Sequence, residues 1–350
     1  MEGELVKGND AVAMAAIDAG CLHYFGYPIT PQNEIPEYLA KHLPILGGEF
    51  IQAESEVASI NMLLGASAAG IRAMTSSSSP GISLMQEGIS YMAGSELPAV
   101  IVNMSRSGPG LGGIAPSQGD YFQATRGGGH GDYRMIVLAP SSVQEIYDLT
   151  LKAFDLADTY RNPVLILGDS LIGQMKEPMV RRSPKKRKAI PKPWAMTGAG
   201  GREPNVLKSL YLNNGELTQH NWKLYEKYQR VRENEVLFET RGVDGAHIVV
   251  VAFGSISRVV KTAMDMAADA GLKVGLFRPI TLFPFPQEAL NSVTRSINTF
   301  LTVELNTGQM VEDVKLSVKG DTQVYFYGRP PGSLCTPEEI LEAIEQYYPC

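Results

Sequence analysis

The sequence predicts an α/β protein in which a doubly wound parallel sheet domain is followed by a smaller α/β domain. Three observations predict this. Short apolar segments alternate with helical ones over residues 1–180, glycine-rich turns join them, and the same alternation returns from residue 244. Strands that alternate with helices are typical of parallel sheets, and right-handed crossovers place helices on both faces of such a sheet. A chain of 350 residues suits two domains, or three.

The first predicted domain covers residues 1–180. Short apolar runs predict strands at 22–27, 72–76, 99–104, 136–138 and 164–168. Helical spacing of apolar and small residues predicts helices at 9–19, 54–69, 81–93 and 143–160. The two kinds of element alternate along the chain, as a doubly wound sheet requires.

The second predicted domain covers residues 244–350. Its strands are expected at 247–253, 273–277, 299–304 and 324–327, and its helices at 257–270 and 337–347, with Thr336 as the N-cap of the last helix. We predict that residues 181–243, between the domains, form a linker and an exposed helix. The linker begins with a basic run at 181–188. That run suits a solvated linker or a patch facing an acidic partner better than a nuclear or nucleic-acid signal.

The composition argues against several classes of function. With 31 Lys and Arg against 37 Asp and Glu, the formal net charge is −6, which disfavours nucleic acid and anionic membranes as partners. The sequence has no run of about 20 apolar residues that could span a bilayer. Its acidic start lacks the basic and apolar regions of a secretory signal, so we expect a cytoplasmic protein.

The cysteines limit the redox chemistry of the chain. Cys21, Cys335 and Cys350 lie far apart and are odd in number, so we expect no disulfide framework. An iron–sulfur cluster usually takes four closely spaced thiolates. Any cluster used in a redox reaction would therefore have to lie on another chain.

The first candidate segment for chemistry is the loop at residues 26–32. Pro28 and Pro31 restrict the backbone around Thr30. They hold its hydroxyl at the carboxyl end of a predicted strand, where ligands bind in open α/β sheets. An ordinary explanation stays open, in which Thr30 caps a helix whose first residue is Pro31.

The second candidate segment, residues 52–59, contains Glu54 and Glu56 at the start of a predicted helix. The turns that follow are small and apolar, so we expect one carboxyl to be partly buried and able to relay a proton. Alternatively, both acids simply favour the positive end of the helix dipole. Because residues i and i+2 diverge on a helix, at most one of them faces a site.

The third candidate segment is the glycine-rich loop at residues 103–132, which is long enough to indicate a functional role. Arg106 follows the apolar strand at 99–104, and a guanidinium at that place suits bidentate capture of a carboxylate. A loop salt bridge would also explain Arg106, and a surface position is the better explanation for His130. The sequence has no Walker-type motif, dinucleotide fingerprint, His/Cys metal cluster or Gly-x-Ser-x-Gly elbow.

Six motifs, taken in order, resemble those of the 2-oxo acid:ferredoxin oxidoreductases. The resemblance is to the α subunit, and closest to that of the enzymes acting on 3-methyl-2-oxobutanoate (2-ketoisovalerate). It covers nearly the whole chain. Each motif alone is unspecific, but six in order over 280 residues are specific. The motifs lie at 7–11, 26–31, 54–58, 119–125, 140–145 and 278–286.

The resemblance implies a fold and a set of site residues. The first domain would be the pyrimidine-binding domain of thiamine diphosphate enzymes, and the second a transketolase C-terminal-type domain. Glu56 would hydrogen-bond N1′ of the cofactor's aminopyrimidine and so promote loss of the C2 proton, with Pro28 and Ile29 beside the cofactor. Thr30 and Arg106 would hold the substrate's carboxylate and carbonyl. The resemblance thus implies Glu56, Thr30 and Arg106 as catalytic residues.

The sequence departs from the family pattern at informative positions. Ser107 follows Arg106, where the family usually has Arg-Gly-Gly-Pro. Ala115 stands where enzymes for 2-oxoglutarate tend to have threonine, so we expect a hydrophobic substrate side chain, branched aliphatic or aromatic. The Gly-Asp-Gly motif that holds the diphosphate-bound metal in thiamine enzymes does not occur in the sequence.

The resemblance therefore implies a multi-subunit enzyme. A β subunit would carry the diphosphate and Mg²⁺ site, and γ and ferredoxin-like δ subunits would complete the complex, with [4Fe-4S] clusters on the partners. Coenzyme A would accept the acyl group and ferredoxin the electrons. Three alternatives stay open: a non-catalytic assembly subunit, the same reaction on 2-oxoglutarate or an aryl 2-oxo acid, and an unrelated nucleotide-binding α/β protein.

Overall fold

A computed structural model describes residues 3–182 and 190–349 of the chain. The basic run at 181–188 lies almost wholly outside the described residues, so the interpretation of it as a solvated linker stays a prediction. Within the described part, no helix is both long and apolar enough to cross a bilayer.

The strands and helices alternate along most of the chain. The strands are β1 (Glu4–Lys7), β2 (His23–Gly26), β3 (Glu49–Gln52), β4 (Ala73–Ser77), β5 (Ala99–Ser105), β6 (Ile136–Leu138), β7 (Pro163–Asp169), β8 (Lys176–Met179), β9 (Phe238–Arg241), β10 (Ile248–Val251), β11 (Val274–Pro279), β12 (Thr281–Phe283), β13 (Thr299–Glu304) and β14 (Gln323–Gly328). The helices are α1 (Gly8–Asp18), α2 (Glu34–His42), α3 (Glu56–Ala68), α4 (Ser79–Gly94), α5 (Tyr121–Arg126), α6 (Val143–Tyr160), α7 (Ser170–Gln174), α8 (Glu216–Asn234), α9 (Ile256–Asp269), α10 (Gln287–Val293), α11 (Met310–Ser317) and α12 (Pro337–Tyr347).

The larger sheet has the strand order β12-β6-β7-β5-β4-β2-β3. All of its neighbours are parallel except β12, which runs antiparallel to β6. Every residue of β5 and β7 is buried, as expected for central strands of a parallel sheet that is covered on both faces. The predicted doubly wound parallel sheet is therefore confirmed. Its order places the carboxyl ends of β5, β4, β2 and β3 side by side along one edge.

The smaller sheet has the order β14-β13-β10-β11-β9, in which only the β9–β11 pair is antiparallel. Its edge strand β9 comes from the stretch predicted as linker. Strand β12, which lies in the C-terminal part of the chain, pairs with β6 of the larger sheet. The C-terminal part thus contributes strands to both sheets, and the domain bounds at residues 180 and 243 stay predictions.

A buried ion-pair cluster joins the two sheets. The Arg278 side chain on β11 is only 2% exposed. Its guanidinium donates two hydrogen bonds of 2.6 and 3.0 Å to Glu145 at the start of α6, and one of 2.6 Å to Glu239 on β9. Because a buried cation needs such partners, this cluster fixes the second sheet against the first.

Two predicted elements differ from the structure. The helix expected from residue 54 begins at Glu56, because the Ser55 hydroxyl accepts a hydrogen bond from the amide of Ala58 and caps the first turn. Glu54 therefore precedes the helix and is exposed. The glycine-rich loop is not continuous, since it contains the short helix α5.

Candidate active site

The loop after β2 is held in place by side chains of helices α1 and α7. Asn9 on α1 and Gln174 at the end of α7 donate hydrogen bonds of 2.8 and 2.9 Å to the carbonyl oxygen of Pro31. Thr30 itself is exposed. Because helix α2 begins only at Glu34, the explanation of Thr30 as a helix cap is wrong. The loop presents the threonine at the carboxyl edge of the larger sheet.

A polar network lies directly behind this loop. The hydroxyls of Tyr24 and Ser76 are 2.8 Å apart, and Ser76 donates a hydrogen bond of 2.5 Å to the amide oxygen of Gln32. Burial raises the pKa of the Tyr24 phenol, so Tyr24 remains a neutral partner at physiological pH. The network ties the end of β4 to the loop that carries Thr30.

Glu56 is the first residue of α3 and is only 6% exposed. No side chain or backbone amide of the described residues donates a hydrogen bond to its carboxylate. Gly81 on α4 faces it so closely that a Cβ atom there would lie 2.6 Å from Oε1 of Glu56. A buried carboxylate without a partner is costly. The arrangement therefore leaves an acceptor for a group that is not part of the described chain.

Other polar atoms, at the ends of β4 and β5, also have no hydrogen-bond partner among the described residues. They include the hydroxyls of Ser77 and Ser78 and Oδ1 of Asn103. Ser77 and Ser78 come directly before α4, and Asn103 lies on the adjacent strand β5. Because native buried polar groups are nearly always paired, this cluster indicates a polar ligand site at the strand ends.

Arg106 follows β5 and is 8% exposed. Its Nη1 donates a hydrogen bond of 2.9 Å to the carbonyl oxygen of Thr30, and its Nη2 donates one of 3.3 Å to that of Leu111. Nε is buried and has no partner among the described residues. No described carboxylate forms an ion pair with Arg106, so a loop salt bridge does not explain it. The arginine joins the Thr30 loop to the glycine-rich loop.

The remaining predicted site residues lie around these two loops. Pro28 lines a cavity of about 290 Å³ with Gly26, Phe50 and Gln52, and Ile29 is half-buried between Pro28 and Thr30. The carbonyl oxygen of Ala115 accepts hydrogen bonds of 3.0 Å from both the amide and the hydroxyl of Ser107.

Serine at position 107, where the family usually has glycine, thus has a structural role. A glycine there would lack the hydroxyl that holds the segment at Ala115. His130 is exposed, and only its backbone carbonyl is bonded, by the hydroxyl of Ser90 at 2.7 Å. This placement agrees with a surface histidine.

Sequence reasoning assigned no role to four residues that complete this cluster. Oδ2 of Asp120 accepts hydrogen bonds of 2.6 Å from the Ser79 hydroxyl and 2.8 Å from the Asn103 amide. Gly81, the fourth, lets α4 approach the Glu56 side chain closely. The serine run at 76–79 and the Gly-Asp pair at 119–120 are recognisable in the sequence, but neither indicates which residues its side chains would contact.

Both parts of the chain match known protein families. Residues 14–236 match the family model of the thiamine diphosphate-binding region of pyruvate flavodoxin/ferredoxin oxidoreductase. Residues 246–340 match that of core domain II of pyruvate:ferredoxin oxidoreductase. A relative from Methanothermobacter marburgensis, named ketoisovalerate oxidoreductase subunit VorB, is 52% identical over 99% of this chain and 98% of its own length.

The chain belongs to the 2-oxo acid:ferredoxin oxidoreductase family. A second subunit VorB, from Methanothermobacter thermautotrophicus, is 50% identical over 99% of this chain and 98% of its own length. A 2-oxoglutarate synthase subunit KorA from Archaeoglobus fulgidus is 39% identical over 99% of both chains. Family members of this kind are named as separate subunits of heteromeric enzymes.

Solved structures support the same assignment. A 2-oxoglutarate:ferredoxin oxidoreductase from Magnetococcus marinus, solved with 2-oxoglutarate, coenzyme A and succinyl-CoA bound, has a TM-score of 0.87 and 28% identity. It covers 99% of this chain, which spans 65% of that longer chain. A split-gene transketolase described as an inactive β4 tetramer has a TM-score of 0.61, 14% identity and 98% coverage of both chains, and shows a likeness of fold alone.

Proposed function

We propose that this subunit supplies the pyrimidine-side half of a thiamine diphosphate site in a complex that oxidatively decarboxylates a branched-chain 2-oxo acid. The products would be an acyl-CoA, CO₂ and reduced ferredoxin. The observation that carries the proposal is the buried carboxylate of Glu56, which has no hydrogen-bond partner among the described residues. The resident cofactor of the family has a ring nitrogen that such a carboxylate can bind.

The residues present fit the aminopyrimidine of thiamine diphosphate. Glu56 would hold a proton shared with N1′ of that ring, which satisfies its otherwise unpaired carboxylate. Pro28 and Ile29 would lie beside the cofactor and exclude water from it. When bound, the cofactor supplies the electron sink for loss of CO₂; the role of this chain is to orient the ring and set its protonation.

The substrate end of the site would lie between Thr30, Arg106 and Ala115. The Thr30 hydroxyl is exposed at the strand edge and can donate to a carboxylate or carbonyl oxygen. Arg106 carries a positive charge that no described carboxylate neutralises, and its Nε has no partner among the described residues. A 2-oxo acid carboxylate would complete this electrostatic arrangement, because charge-assisted hydrogen bonds are about twice as strong as neutral ones.

Two observations support a hydrophobic, branched substrate. Ala115 has no hydroxyl with which to meet a second, distal carboxylate. The two subunits VorB named for ketoisovalerate are 50–52% identical to the chain, whereas the subunits KorA named for 2-oxoglutarate are 37–39% identical. A subunit VorA named for ketoisovalerate, from Pyrococcus furiosus, is 28% identical. Competition between 3-methyl-2-oxobutanoate, 2-oxoglutarate and an aryl 2-oxo acid in the reconstituted complex tests this choice, and better turnover of 2-oxoglutarate would refute it.

Partner subunits would complete the site. The sequence lacks the Gly-Asp-Gly motif, so a β subunit would bind the diphosphate through Mg²⁺, while γ and ferredoxin-like δ subunits would carry electrons through [4Fe-4S] clusters to ferredoxin. Helix α3, which begins with Glu56, has a mainly apolar sequence and exposes Val57 and Met62, 48% and 36% accessible. A partner covering this face would bury apolar area and close the site over Glu56.

The decisive experiment compares two glutamates that are two residues apart. In the complete complex, Glu56→Gln should reduce turnover at least about 100-fold, the order of effect that proton transfer by a positioned group contributes. Glu54→Gln is the matched control, because Glu54 is exposed and precedes the helix. Parental turnover in Glu56→Gln would favour a non-catalytic assembly subunit instead.

A further inference from the structure

We propose that Asp120 is a positioning residue that holds Arg106 and the start of α4 in place for the substrate. The inference rests on the proposed function, because Arg106 and Thr30 form its substrate end. Asp120 touches neither the cofactor nor the substrate in this proposal. It acts through Ser79 and Asn103, and it is itself fixed by the second sheet.

The first argument is the direction in which the Asp120 side chain points. Asp120 is the N-cap residue of α5, where an aspartate ordinarily accepts hydrogen bonds from the first turn of its own helix. Its side chain makes no such bond. Oδ2 instead accepts from the Ser79 hydroxyl and the Asn103 amide. The carboxylate therefore does not cap its own helix and instead binds the first residue of α4 and a residue of β5.

The second argument is the single proton of the Ser79 hydroxyl. A serine has one O–H donor and two acceptor lone pairs. The shortest contact of Ser79 Oγ is the 2.6 Å hydrogen bond that it donates to the Asp120 carboxylate, so the hydroxyl hydrogen points at Asp120. A lone pair then faces the backbone amide of Arg106, which donates to Oγ at 2.9 Å. Asp120 thus sets the orientation of Ser79, and Ser79 fixes the backbone of Arg106, whose guanidinium holds Thr30.

The third argument is that residues on both sides of Asp120 are bound to the second sheet. The side chain of Gln118 is 4% exposed, donates to the carbonyl oxygen of Phe253 at 2.8 Å and accepts from the amide of Leu305 at 3.0 Å. Beside it, Gln309 donates to the carbonyl oxygen of Gly119 at 2.8 Å.

On the other side of Asp120, the Tyr121 hydroxyl donates to Asp313 at 2.6 Å. The residues that place Asp120 therefore come from the loops after β10 and β13 and from helix α11. The second sheet would in this way act on the substrate end of a site that lies on the first.

The experiment separates substrate binding from cofactor binding in the complete complex. Asp120→Ala should lower kcat/KM for the 2-oxo acid about 100-fold. Asp120→Asn keeps one acceptor oxygen but loses the charge, so it should raise KM about 10-fold. The Kd of thiamine diphosphate should change less than about twofold in both variants. Asp132→Asn is the control, because Asp132 lies in the same long loop, is exposed and forms no hydrogen bond to the described residues.

A second readout does not depend on turnover. Amide hydrogen exchange of the peptide that contains Arg106 should become at least about tenfold faster in Asp120→Ala, because its amide loses an oriented acceptor. Gln309→Ala leaves the Asp120 carboxylate intact but removes one support of Gly119. It should give the same pattern with an effect of about threefold on KM, and it keeps the test open if Asp120→Ala fails to assemble.

The outcomes distinguish the two proposals. Parental KM and parental exchange in the Asp120 variants would overturn the positioning role while leaving the proposed function intact. Equal weakening of substrate and cofactor binding would also overturn it, since that result assigns Asp120 to general stability. A parent complex that turns over no 2-oxo acid, but whose Arg106 peptide still responds to Asp120→Ala, would refute the proposed function and retain the positioning role.

Discussion

Replacement of Gly81 by alanine should disable the site while leaving the fold intact. A Cβ atom at this position would lie 2.6 Å from Oε1 of Glu56 and would also overlap the Ser77 hydroxyl. A third near atom is Cγ of Glu56, at 2.9 Å. All three atoms belong to side chains that can rotate, so the Glu56 side chain and the Ser77 hydroxyl are expected to move and the backbone of α4 is not.

The expected magnitudes differ for folding and for cofactor binding. Overpacking of one methyl group typically costs about 1–3 kcal/mol. The gain in helix propensity from glycine to alanine offsets about 1 kcal/mol of this, so the free energy of unfolding should change by less than about 2 kcal/mol. A hydrogen bond to a charged group contributes about 1.5–3 kcal/mol. Displacing Glu56 should therefore weaken thiamine diphosphate binding about 10- to 100-fold.

Three measurements on the purified complex test this reasoning. Urea unfolding reports stability, titration with thiamine diphosphate reports its Kd, and anaerobic reduction of a viologen dye by the 2-oxo acid reports turnover. Gly94→Ala on the same helix is the matched control, because its Cβ would meet only Ser209 at an ordinary 3.5 Å. If Gly81→Ala binds the cofactor as tightly as the parent and turns over at the parental rate, Glu56 does not occupy the proposed position.

Three further predictions concern parts of the chain outside the site. Arg278→Met should lower the free energy of unfolding, measured in urea, by about 2–4 kcal/mol. This is less than for a fully buried pair, because the two glutamate partners are 30% and 32% exposed. A loss below about 1 kcal/mol would contradict a stabilising role for the ion-pair cluster. Burial lowers the pKa of Lys227 to about 8, so the unfolded chain binds more protons above that pH. Stability relative to Lys227→Met should therefore rise by about 1.5 kcal/mol between pH 8 and 9.5, and a flat difference would refute the assignment. Burial raises the pKa of Cys21 to about 12, so iodoacetamide at pH 8 should label this thiol only after unfolding, and prompt native labelling would be inconsistent with it.

Local patterns were sufficient to find the residues that begin or end an element. Glu54 and Glu56 could both be marked as candidates because they stand before a run of small residues at a helix start, but the choice of Glu56 came from the family resemblance. In the structure Ser55 caps the helix, so that Glu56 begins it and Glu54 precedes it. Thr30 and Arg106 follow apolar strands, and parallel strands place their carboxyl ends on one edge. The presence of two α/β sheets was also accessible, because the alternation of strands and helices stops and later returns along the chain, but the sheets to which β9 and β12 belong were not.

Contacts between distant segments could not be predicted in this way. The strand β12 is only three residues long, and nothing in its sequence indicates that it pairs with β6 rather than with its neighbour β11. The partners of Arg278 are 39 and 133 residues away. A single sequence carries the charges of such a cluster but not the pairing, because pairing depends on how the two sheets meet.

The same limit explains why Asp120 escaped notice, and it bears on the function of the second sheet. An aspartate that follows glycine and precedes a short helix is locally a helix cap. Only the fold shows that Ser79, 41 residues away, and Asn103, 17 residues away, take its carboxylate instead. The Asp120 side chain can bind these distant residues because its neighbours Gln118 and Tyr121 are held by the loop after β10 and by helix α11, 135 and 192 residues further along the chain. A change in how the second sheet docks would therefore shift residues 118–121 and, through them, Arg106. Glu56 would stay in place, because it forms no hydrogen bond to this segment.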